Sequence, residues 1–324
     1  MSAPKRQRQH AGAANDWSSR PERSRALPLR LMRWMSLRLG RGATRWLLWP
    51  VVLAYLATSP TARAASRRYL SAALGRRAGL RDVLRHFHAF ATTIHDRVYL
   101  LNGRLDLFDI RVHGEDAVQR IVARGDGAFL MGAHLGSFEA VRAVGGRIPE
   151  VRLAVMMYED NASRLNEALA TINPAMRQHV IPLGRLDAML RARSYLERGY
   201  LIGLLADRTL ARLATDPVRV LPFLGTPAPF ATGPLRMAAM LRREVLFIAA
   251  VHGGGNRYDV HFETLADFSA TPADQRDAAI ETALARYVAM LERHCRAAPY
   301  NWFNFYDFWA MPDTPASPAQ ASLP

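Results

Sequence analysis

The feature that most constrains the fold is an alternation of short apolar runs with stretches of helical spacing, which begins near residue 110. Most of these runs are followed by a stretch whose apolar residues recur every three or four positions. This alternation predicts an α/β fold in which a mainly parallel or mixed sheet is flanked by helices. The runs are AFLMGA (128–133), VRLAVMMY (151–158), HVIPL (179–183), YLIGLLA (200–206) and VRVLPFL (218–224). A helix is predicted near 162–172, after the second run, and a loop, GTPAPFATG (225–233), is predicted after the last run.

Two further apolar runs lie closer to the C-terminus, on either side of the sequence GGGN. VLFIAAVH (245–252) and RYDVHFETL (257–265) predict an antiparallel hairpin at the edge of the sheet. A last helix is predicted over about 273–297. We therefore place an α/β domain at 101–312, followed by a disordered tail at 313–324.

The N-terminal part of the chain has a different pattern. Residues 1–27 are polar and rich in arginine, which predicts a disordered basic tail. Residues 28–100 have helical spacing, with breaks at Pro50 and at Ser59-Pro60, and are predicted to be a helical region at a membrane interface. The formal net charge is +15, and residues 1–45 hold eleven Lys/Arg against two acidic residues. Such a basic segment suits an anionic surface, which membrane lipid, nucleic acid or an acidic protein can supply.

The most apolar stretch is WLLWPVVLAYLAT at 46–58. It is shorter than the roughly 20 residues that cross a bilayer, and basic residues flank both of its ends. We therefore expect an anchor near 30–58 that lies in the cytoplasmic face of an anionic inner membrane. A signal peptide ending at Ala62-Arg63-Ala64 and a buried core helix behind a basic tail are the alternatives.

Cysteine and histidine usage bears on metal and redox chemistry. Cys295 is the only cysteine, so there is no disulfide framework and no cysteine metal cluster. His86, His88 and His95 do not form an H-E-x-x-H pattern, and are predicted to be ordinary residues of an amphipathic helix. We expect neither a cofactor nor a bound metal.

A histidine follows the first predicted strand, in FLMGAHLGSFEA at 129–140. If His134 ends the strand and Ser137 caps the next helix, Glu139 lies in the first helical turn. A carboxylate on one ring nitrogen fixes the tautomer and stabilises the imidazolium that forms when the other nitrogen takes a proton. The pattern predicts a general-base pair of His134 and Glu139, against the alternative of a satisfied core histidine.

No protein nucleophile accompanies this pair. The sequence around Ser137 is HLGSFE, which is not the G-x-S-x-G pattern of serine hydrolases. We therefore expect the nucleophile to be a hydroxyl of the substrate. A membrane-associated serine hydrolase or esterase that uses Ser137 or Thr226 is the alternative enzyme.

Three sequence blocks follow one another along the chain, and their order is informative. They are the H-x4-E segment, LLADRTL at 204–210 and VLPFLGTPAPFATGPLRMA at 220–238. Together they resemble the late lipid A acyltransferases, the lauroyl/myristoyl branch of the lysophospholipid/glycerolipid acyltransferase superfamily, over roughly residues 30–310. The resemblance implies transfer of an acyl group from an acyl thioester to a hydroxyl of a lipid or glycolipid. It implies acyl carrier protein as the donor, with acyl-coenzyme A as the alternative.

The resemblance also assigns roles to residues. It implies that His134 and Glu139 are the catalytic base pair and that the later blocks help to bind the acyl group or the acceptor. Arg208 is a candidate phosphate ligand because of its charge, or else the partner of a neighbouring acid. The predicted substrate-binding residues are Asp207, Arg208, Phe223, Gly225, Thr232 and Gly233.

Two departures from the family pattern indicate a divergent member. The second strand is followed by MMYEDN (156–161), where the family usually has an arginine, and the chain carries an aromatic segment, PYNWFNFYDFW (299–309). We expect that aromatic segment to pack over the site and to touch the membrane interface. An acceptor other than lipid A, or a polyene acyl group, fits these departures.

A basic nucleic-acid-binding protein is the remaining class that the net charge allows. The sequence has no zinc-finger spacing, no aromatic RNA-binding motif and no clear helix-turn-helix. We therefore expect anionic lipid and the acidic acyl carrier protein, and no nucleic acid, as partners of the basic surface.

Overall fold

In the part of the chain that the structure describes, four helices precede the sheet. A computed structural model describes residues 26–146, 148, 150–158, 172–173, 179–184, 187–208 and 217–310. The helices are α1 (Ala26–Trp46), α2 (Leu48–Thr58), α3 (Pro60–Leu74) and α4 (Leu80–Leu101). Pro60 begins α3 as predicted, whereas Pro50 lies in the first turn of α2, where a missing N–H does no harm. Most of the predicted N-terminal tail, all of the C-terminal tail and most of the predicted helix at 162–172 lie outside the described residues.

The rest of the described chain alternates strands and helices. The strands are β1 (Asp109–His113), β2 (Ala128–Gly132), β3 (Arg152–Tyr158), β4 (His179–Leu183), β5 (Tyr200–Leu205), β6 (Val218–Phe223), β7 (Thr226–Ala231), β8 (Glu244–Gly254) and β9 (Arg257–Asp267). The helices are α5 (Glu115–Ala123), α6 (Phe138–Gly145), α7 (Ala188–Glu197), α8 (Gly233–Met240) and α9 (Arg276–Ala297).

Seven of the described strands form one mixed sheet in the order β1-β9-β8-β2-β5-β3-β4. All neighbours pair in parallel except β8 and β9, so the predicted α/β class with a mainly parallel sheet is confirmed. The predicted hairpin is also present. Its predicted place at the edge is wrong, because β1 pairs with the outer side of β9 and covers it.

The core lies on both faces of the sheet. Every residue of β2 is buried, and its side chains alternate between two hydrophobic clusters, with Phe129 and Met131 in one and Leu130 in the other. Burial on both faces explains why the strand is a continuous apolar run instead of an alternating one. Because β2 is the fourth of the seven strands in the sheet, the loop that follows it lies near the middle of the row of strand ends.

The segment after β6 differs from the sequence-based prediction of a loop over GTPAPFATG. Residues of this segment form β7, which pairs antiparallel with β6 in a separate two-stranded sheet. Leu224 and Gly225 make the connecting turn, and both have positive φ values. A two-residue turn of this conformation matches the twist of a hairpin, and this signal is hidden by the two prolines in β7.

A buried ion pair holds α1 against α4. Arg41 donates to both oxygens of Asp96 on α4, with Nε–Oδ1 and Nη2–Oδ2 distances of 2.7 and 2.8 Å. The Tyr258 hydroxyl donates to the same carboxylate at 3.0 Å. Because the Asp96 side chain is fully buried, its charge depends on these donors.

We expect Arg41→Met to lower the free energy of unfolding by about 3–5 kcal/mol, because it leaves a buried carboxylate without its cation. Urea denaturation followed by circular dichroism measures the change. Arg104→Met is the matched control, because its partner Asp106 is exposed, and it should change stability little. Equal effects of the two substitutions would contradict the role given to the buried pair.

The first two helices carry an unusual number of exposed apolar side chains. Trp46 and Val51 are 75% and 62% exposed, and the others are Trp34, Leu37, Leu39, Leu47, Trp49, Leu53 and Tyr55. We call this set the apolar face of α1 and α2. Among the described residues, no helix is both long and apolar enough to pass through a bilayer.

Candidate active site

His134 and Asp207 meet at the carboxyl ends of two adjacent strands. β2 and β5 pair in parallel with Gly132 opposite Leu205, so the residues two positions later emerge side by side. The His134 Nδ1 lies 2.8 Å from the Asp207 Oδ1. The sheet order therefore creates this contact between residues that are 73 positions apart in the chain.

The other carboxylate oxygen of Asp207 accepts three hydrogen bonds. The donors are the backbone N–H of His134 at 3.0 Å, the Trp302 indole N–H at 3.0 Å and the Asn304 side-chain amide at 2.8 Å. Asp207 is fully buried and the His134 side chain is 28% exposed. The carboxylate is thus fixed by the protein, and it holds the imidazole by one nitrogen while the ring still reaches the surface of a cavity.

The charges of this pair suit a base at neutral pH. Burial lowers the pKa of His134 below its ordinary value of 6.5, and the Arg208 charge adds to this, while the Asp207 charge opposes it. Burial alone would raise the pKa of Asp207, but the charge and hydrogen bond of His134, with Arg208 and Asn304, bring it well below its ordinary value. The ring is therefore neutral beside an ionised carboxylate.

Glu139 does not contact the imidazole, contrary to the sequence-based prediction. It lies in the first turn of α6, as predicted, but its Oε1 faces the Nε of Arg97 on α4 at 2.8 Å. The Ser137 hydroxyl contacts its other oxygen at 3.4 Å. The helix begins at Phe138 and carries Glu139 toward α4, so the five-residue spacing does not fold the carboxylate back onto His134.

The loop that holds His134 is fixed from two sides. Gly136 has φ of +72°, and a Cβ there would lie 1.8 Å from the carbonyl oxygen of Ala250, so only glycine fits. The Gly136 N–H donates to the Asn301 carbonyl at 2.8 Å, and the Phe303 N–H donates to the His134 carbonyl at 2.7 Å. Residues 299–309, which we call the C-terminal segment, therefore run beside this loop as an added strand would.

A cavity of about 800 Å³ opens beside His134. Residues of α2, α3, α4, the His134 loop and the C-terminal segment form its walls, so it spans the predicted domain boundary at residue 100. Its aromatic lining includes Tyr55, Phe90, Phe138, Phe303, Phe305 and Tyr306. Three arginines line it as well, namely Arg68, Arg97 and Arg208. The cavity can thus hold an apolar chain and an anionic group next to a neutral imidazole.

The family model described as bacterial lipid A biosynthesis acyltransferase matches residues 90–310. The chain belongs to this family. The match includes His134, Asp207 and the whole C-terminal segment that touches them, and it confirms the family resemblance predicted from the sequence. No curated protein sequence matches the chain significantly.

The structure brings some of the predicted site residues of this acyltransferase together and leaves others apart. Arg208 lines the cavity, and its Nε donates to the Asn304 amide oxygen at 2.8 Å. Four predicted substrate-binding residues lie instead in the β6–β7 hairpin and at its exit, and none of them lines the cavity: Phe223, Gly225, Thr232 and Gly233. A direct binding role for these four stays a prediction.

The hairpin nevertheless reaches the His134–Asp207 pair through packing. The buried Phe223 ring lies 5.4 Å from the Trp302 ring, measured between centroids, and the same indole donates to Asp207. Thr232 is buried, and its hydroxyl donates to the Pro217 carbonyl at 2.9 Å, which closes the base of the hairpin. In this acyltransferase the hairpin block therefore supports the residues that hold Asp207.

Sequence reasoning missed several residues of the site. Asn304 and Trp302 hold Asp207 but belong to an aromatic segment for which the sequence suggested only packing and interface contact. His86 is buried, and its ring bridges the Ser66 hydroxyl and the Trp302 carbonyl, both at 2.9 Å. The two polar asparagines inside the aromatic run, Asn301 and Asn304, were the available signal that this segment has buried partners.

Proposed function

We propose that the protein is an O-acyltransferase that moves an acyl group from a thioester to a hydroxyl of a lipid or glycolipid. The observation that carries this proposal is a neutral histidine, oriented by a buried aspartate, at the wall of a large cavity in a chain of an acyltransferase family. The donor is acyl carrier protein, with acyl-coenzyme A as the alternative.

The proposed chemistry uses the free nitrogen of His134. Its Nε2 takes the proton from the acceptor hydroxyl while the oxygen attacks the thioester carbonyl. The tetrahedral intermediate collapses, the C–S bond breaks, and the imidazolium returns the proton to the leaving thiolate. Asp207 keeps the proton of the neutral ring on Nδ1 and stabilises the imidazolium that forms between these steps.

The cavity walls suit the two halves of such a substrate. The aromatic side chains from α4 and the C-terminal segment give an apolar surface for an acyl chain. Arg208 and Arg97 are placed to contact phosphate, which occurs in both phosphopantetheine and lipid headgroups. Arg97 is also paired with Glu139, which supports a role for Glu139 in positioning this arginine.

The proposal is tested by incubating the purified protein with a bacterial lipid extract and with acyl carrier protein or coenzyme A that carries a radiolabelled acyl group. Transfer of label to a lipid, only when the extract is present, is the expected result. Release of free fatty acid without an acceptor would instead indicate a hydrolase. Mass spectrometry of the labelled product gives the acyl group and the acceptor together.

The structure gives the hydrolase alternative little support. Ser137 is buried, and its hydroxyl accepts from the Ala140 N–H at 3.3 Å as an N-cap and contacts Glu139. It has no hydrogen bond with His134 among the described residues. Thr226 lies in the β6–β7 hairpin and does not line the cavity.

The pH dependence of the reaction should reflect the environment of His134. Because the base must be neutral and its pKa is lowered, kcat/KM should be constant near pH 7 and above. It should fall only below pH 6.5, by about tenfold per pH unit. Arg208→Gln should move this acidic limb to higher pH, because the Arg208 charge helps to lower the pKa. An acidic limb centred above pH 7 in the unmodified protein would contradict this assignment.

We also propose that the apolar face of α1 and α2 lies in the cytoplasmic face of an anionic inner membrane. Nine large apolar side chains are exposed within residues 34–55, far more than isolated surface positions explain. Exposed basic residues such as Arg38 and Arg67 lie in the same helical region and suit anionic headgroups. Tyr55 belongs to this face and also lines the cavity, so lipid would have a short path to His134.

Substituting both Val51 and Leu53 with glutamate should weaken binding to vesicles of phosphatidylglycerol and phosphatidylethanolamine by more than about tenfold. Flotation of the vesicles measures the bound fraction. Leu190→Glu is the matched control, because Leu190 is 70% exposed but lies on α7, and it should not change binding. Unchanged flotation of the double variant would exclude this face as the membrane contact.

A further inference from the structure

Two imidazoles and one carboxylate lie close together where β9 meets α9. His261 and Glu263 are two residues apart on β9 and point to one side of the sheet, where His294 of α9 meets them. One ligand atom from each of the three residues lies within 4.8 Å of the others. Two imidazoles and one carboxylate are a common ligand set for a transition metal ion.

The three groups are held in place by their surroundings. His294 stacks on Phe247 with a centroid distance of 5.4 Å and an interplanar angle of 16°. His261 stacks on His113 of the neighbouring strand β1 at 4.6 Å. Arg293 forms an ion pair with the Oε2 of Glu263, and the Oε1 of Glu263 faces His294. Such outer contacts fix the ligands of metal sites in advance.

The ring of His261 is available to a metal ion, whereas the side chains of His294 and Glu263 share a proton. Among the described residues, none makes a hydrogen bond to either ring nitrogen of His261. The His294 Nε2 and the Glu263 Oε1 are 2.7 Å apart and share a hydrogen bond. A metal in place of that proton needs the two atoms to separate by less than about 1 Å, because Zn–N and Zn–O bonds are each about 2.0–2.2 Å.

A cleft gives access to the cluster. It has a volume of about 650 Å³, is lined by both histidines, and lies across α4 from the catalytic cavity. An ion can therefore enter without passing His134, and water can complete its coordination.

We propose that His261, Glu263 and His294 form a binding site for a divalent transition metal, best suited to Zn²⁺. Two nitrogens and one oxygen supply three ligands of a tetrahedral ion, and water from the cleft supplies the fourth. The site departs from the expectation, drawn from the sequence, that the chain holds no metal. An ion bound there would join β9 to α9.

A link between β9 and α9 would also affect the strand that precedes His134, because α9 contacts that strand. The Tyr287 hydroxyl on α9 donates to the Gly132 carbonyl at 2.9 Å, at the end of the strand that precedes His134. An ion at His294 would hold the C-terminal part of α9 to the sheet, and so support the helix whose middle contacts the catalytic strand. Metal binding should therefore raise the thermal stability of the protein.

The experiment uses full-length protein stripped with a chelator and titrated with CoCl2 and ZnCl2. A visible absorption spectrum typical of tetrahedral Co²⁺, one Zn²⁺ per chain by elemental analysis, and a higher melting temperature are expected. His261→Ala removes a half-buried ligand with no hydrogen bond, so it should fold normally and weaken metal binding by more than about 100-fold.

His252→Ala is the matched control, because His252 lines the same cleft but lies outside the ligand set. It should bind Co²⁺ and Zn²⁺ like the unmodified protein. Absence of stoichiometric binding by the unmodified protein would overturn the proposal. So would equal binding by the His261→Ala variant, since the ion would then lie elsewhere.

Discussion

His134→Ala is expected to reduce acyl transfer by at least about 10²–10⁴-fold, the range that a positioned general base contributes. The loss should appear in kcat, because the cavity walls that hold the acyl chain do not depend on the imidazole. Radiolabelled transfer from the acyl thioester donor to the lipid acceptor measures it.

The fold should survive this substitution. His134 is partly exposed, and its backbone carbonyl and N–H keep their bonds to Phe303 and Asp207. Circular dichroism and urea denaturation should therefore resemble those of the unmodified protein. His252→Ala, which alters a histidine of the other cleft, should retain activity. A fully active His134→Ala variant would end the proposed mechanism.

Asp207→Asn should have an effect of similar size, a loss of about 10³–10⁴-fold. Asparagine preserves the shape but not the charge, so the imidazole is no longer held with its proton on Nδ1. The expected size follows the orienting aspartate of serine-protease triads, which acts in the same way. Here again kcat measures the loss, with urea denaturation to show how much of it comes from folding.

Glu139→Gln is the decisive comparison for this second prediction. Sequence spacing made Glu139 the partner of His134, whereas in the structure Glu139 pairs with Arg97 and Asp207 holds the ring. We therefore expect a clearly smaller decrease in kcat for Glu139→Gln than for Asp207→Asn, with the larger part of its effect in KM. The reverse order would restore Glu139 as the orienting group.

Local patterns predicted most of the fold. Strands β2, β3, β4 and β5 follow the apolar runs closely. For β2, every residue of which is buried, no polar alternation is needed. Strand β1 was missed, because its sequence DIRVH is half polar and its pairing with β9 depends on residues nearly 150 positions away. The hairpin β6–β7 was half missed, because prolines obscured its second strand.

The site was predictable in its parts but not in its pairing. His134 was singled out because it follows a predicted strand, and Asp207 because it lies in a block that carries the family resemblance. Their contact depends on the order of strands in the sheet, in which β5 lies beside β2, and no spacing along the chain encodes that order. The hydrogen bonds from Trp302 and Asn304 to Asp207 are harder still to predict, since both residues come from the C-terminal segment, more than 90 positions after Asp207.

The C-terminal segment has a consequence for how the protein is made. Asp207 and Asn304 are 97 positions apart, and Trp302 and Asn304 provide two of the three donors to one oxygen of that aspartate. During synthesis the sheet strands β2 and β5 leave the ribosome long before these donors exist. The nascent chain therefore carries His134 without a fully fixed carboxylate beside it until Trp302 and Asn304 have been added. Only then is the imidazole held as it is in the folded protein.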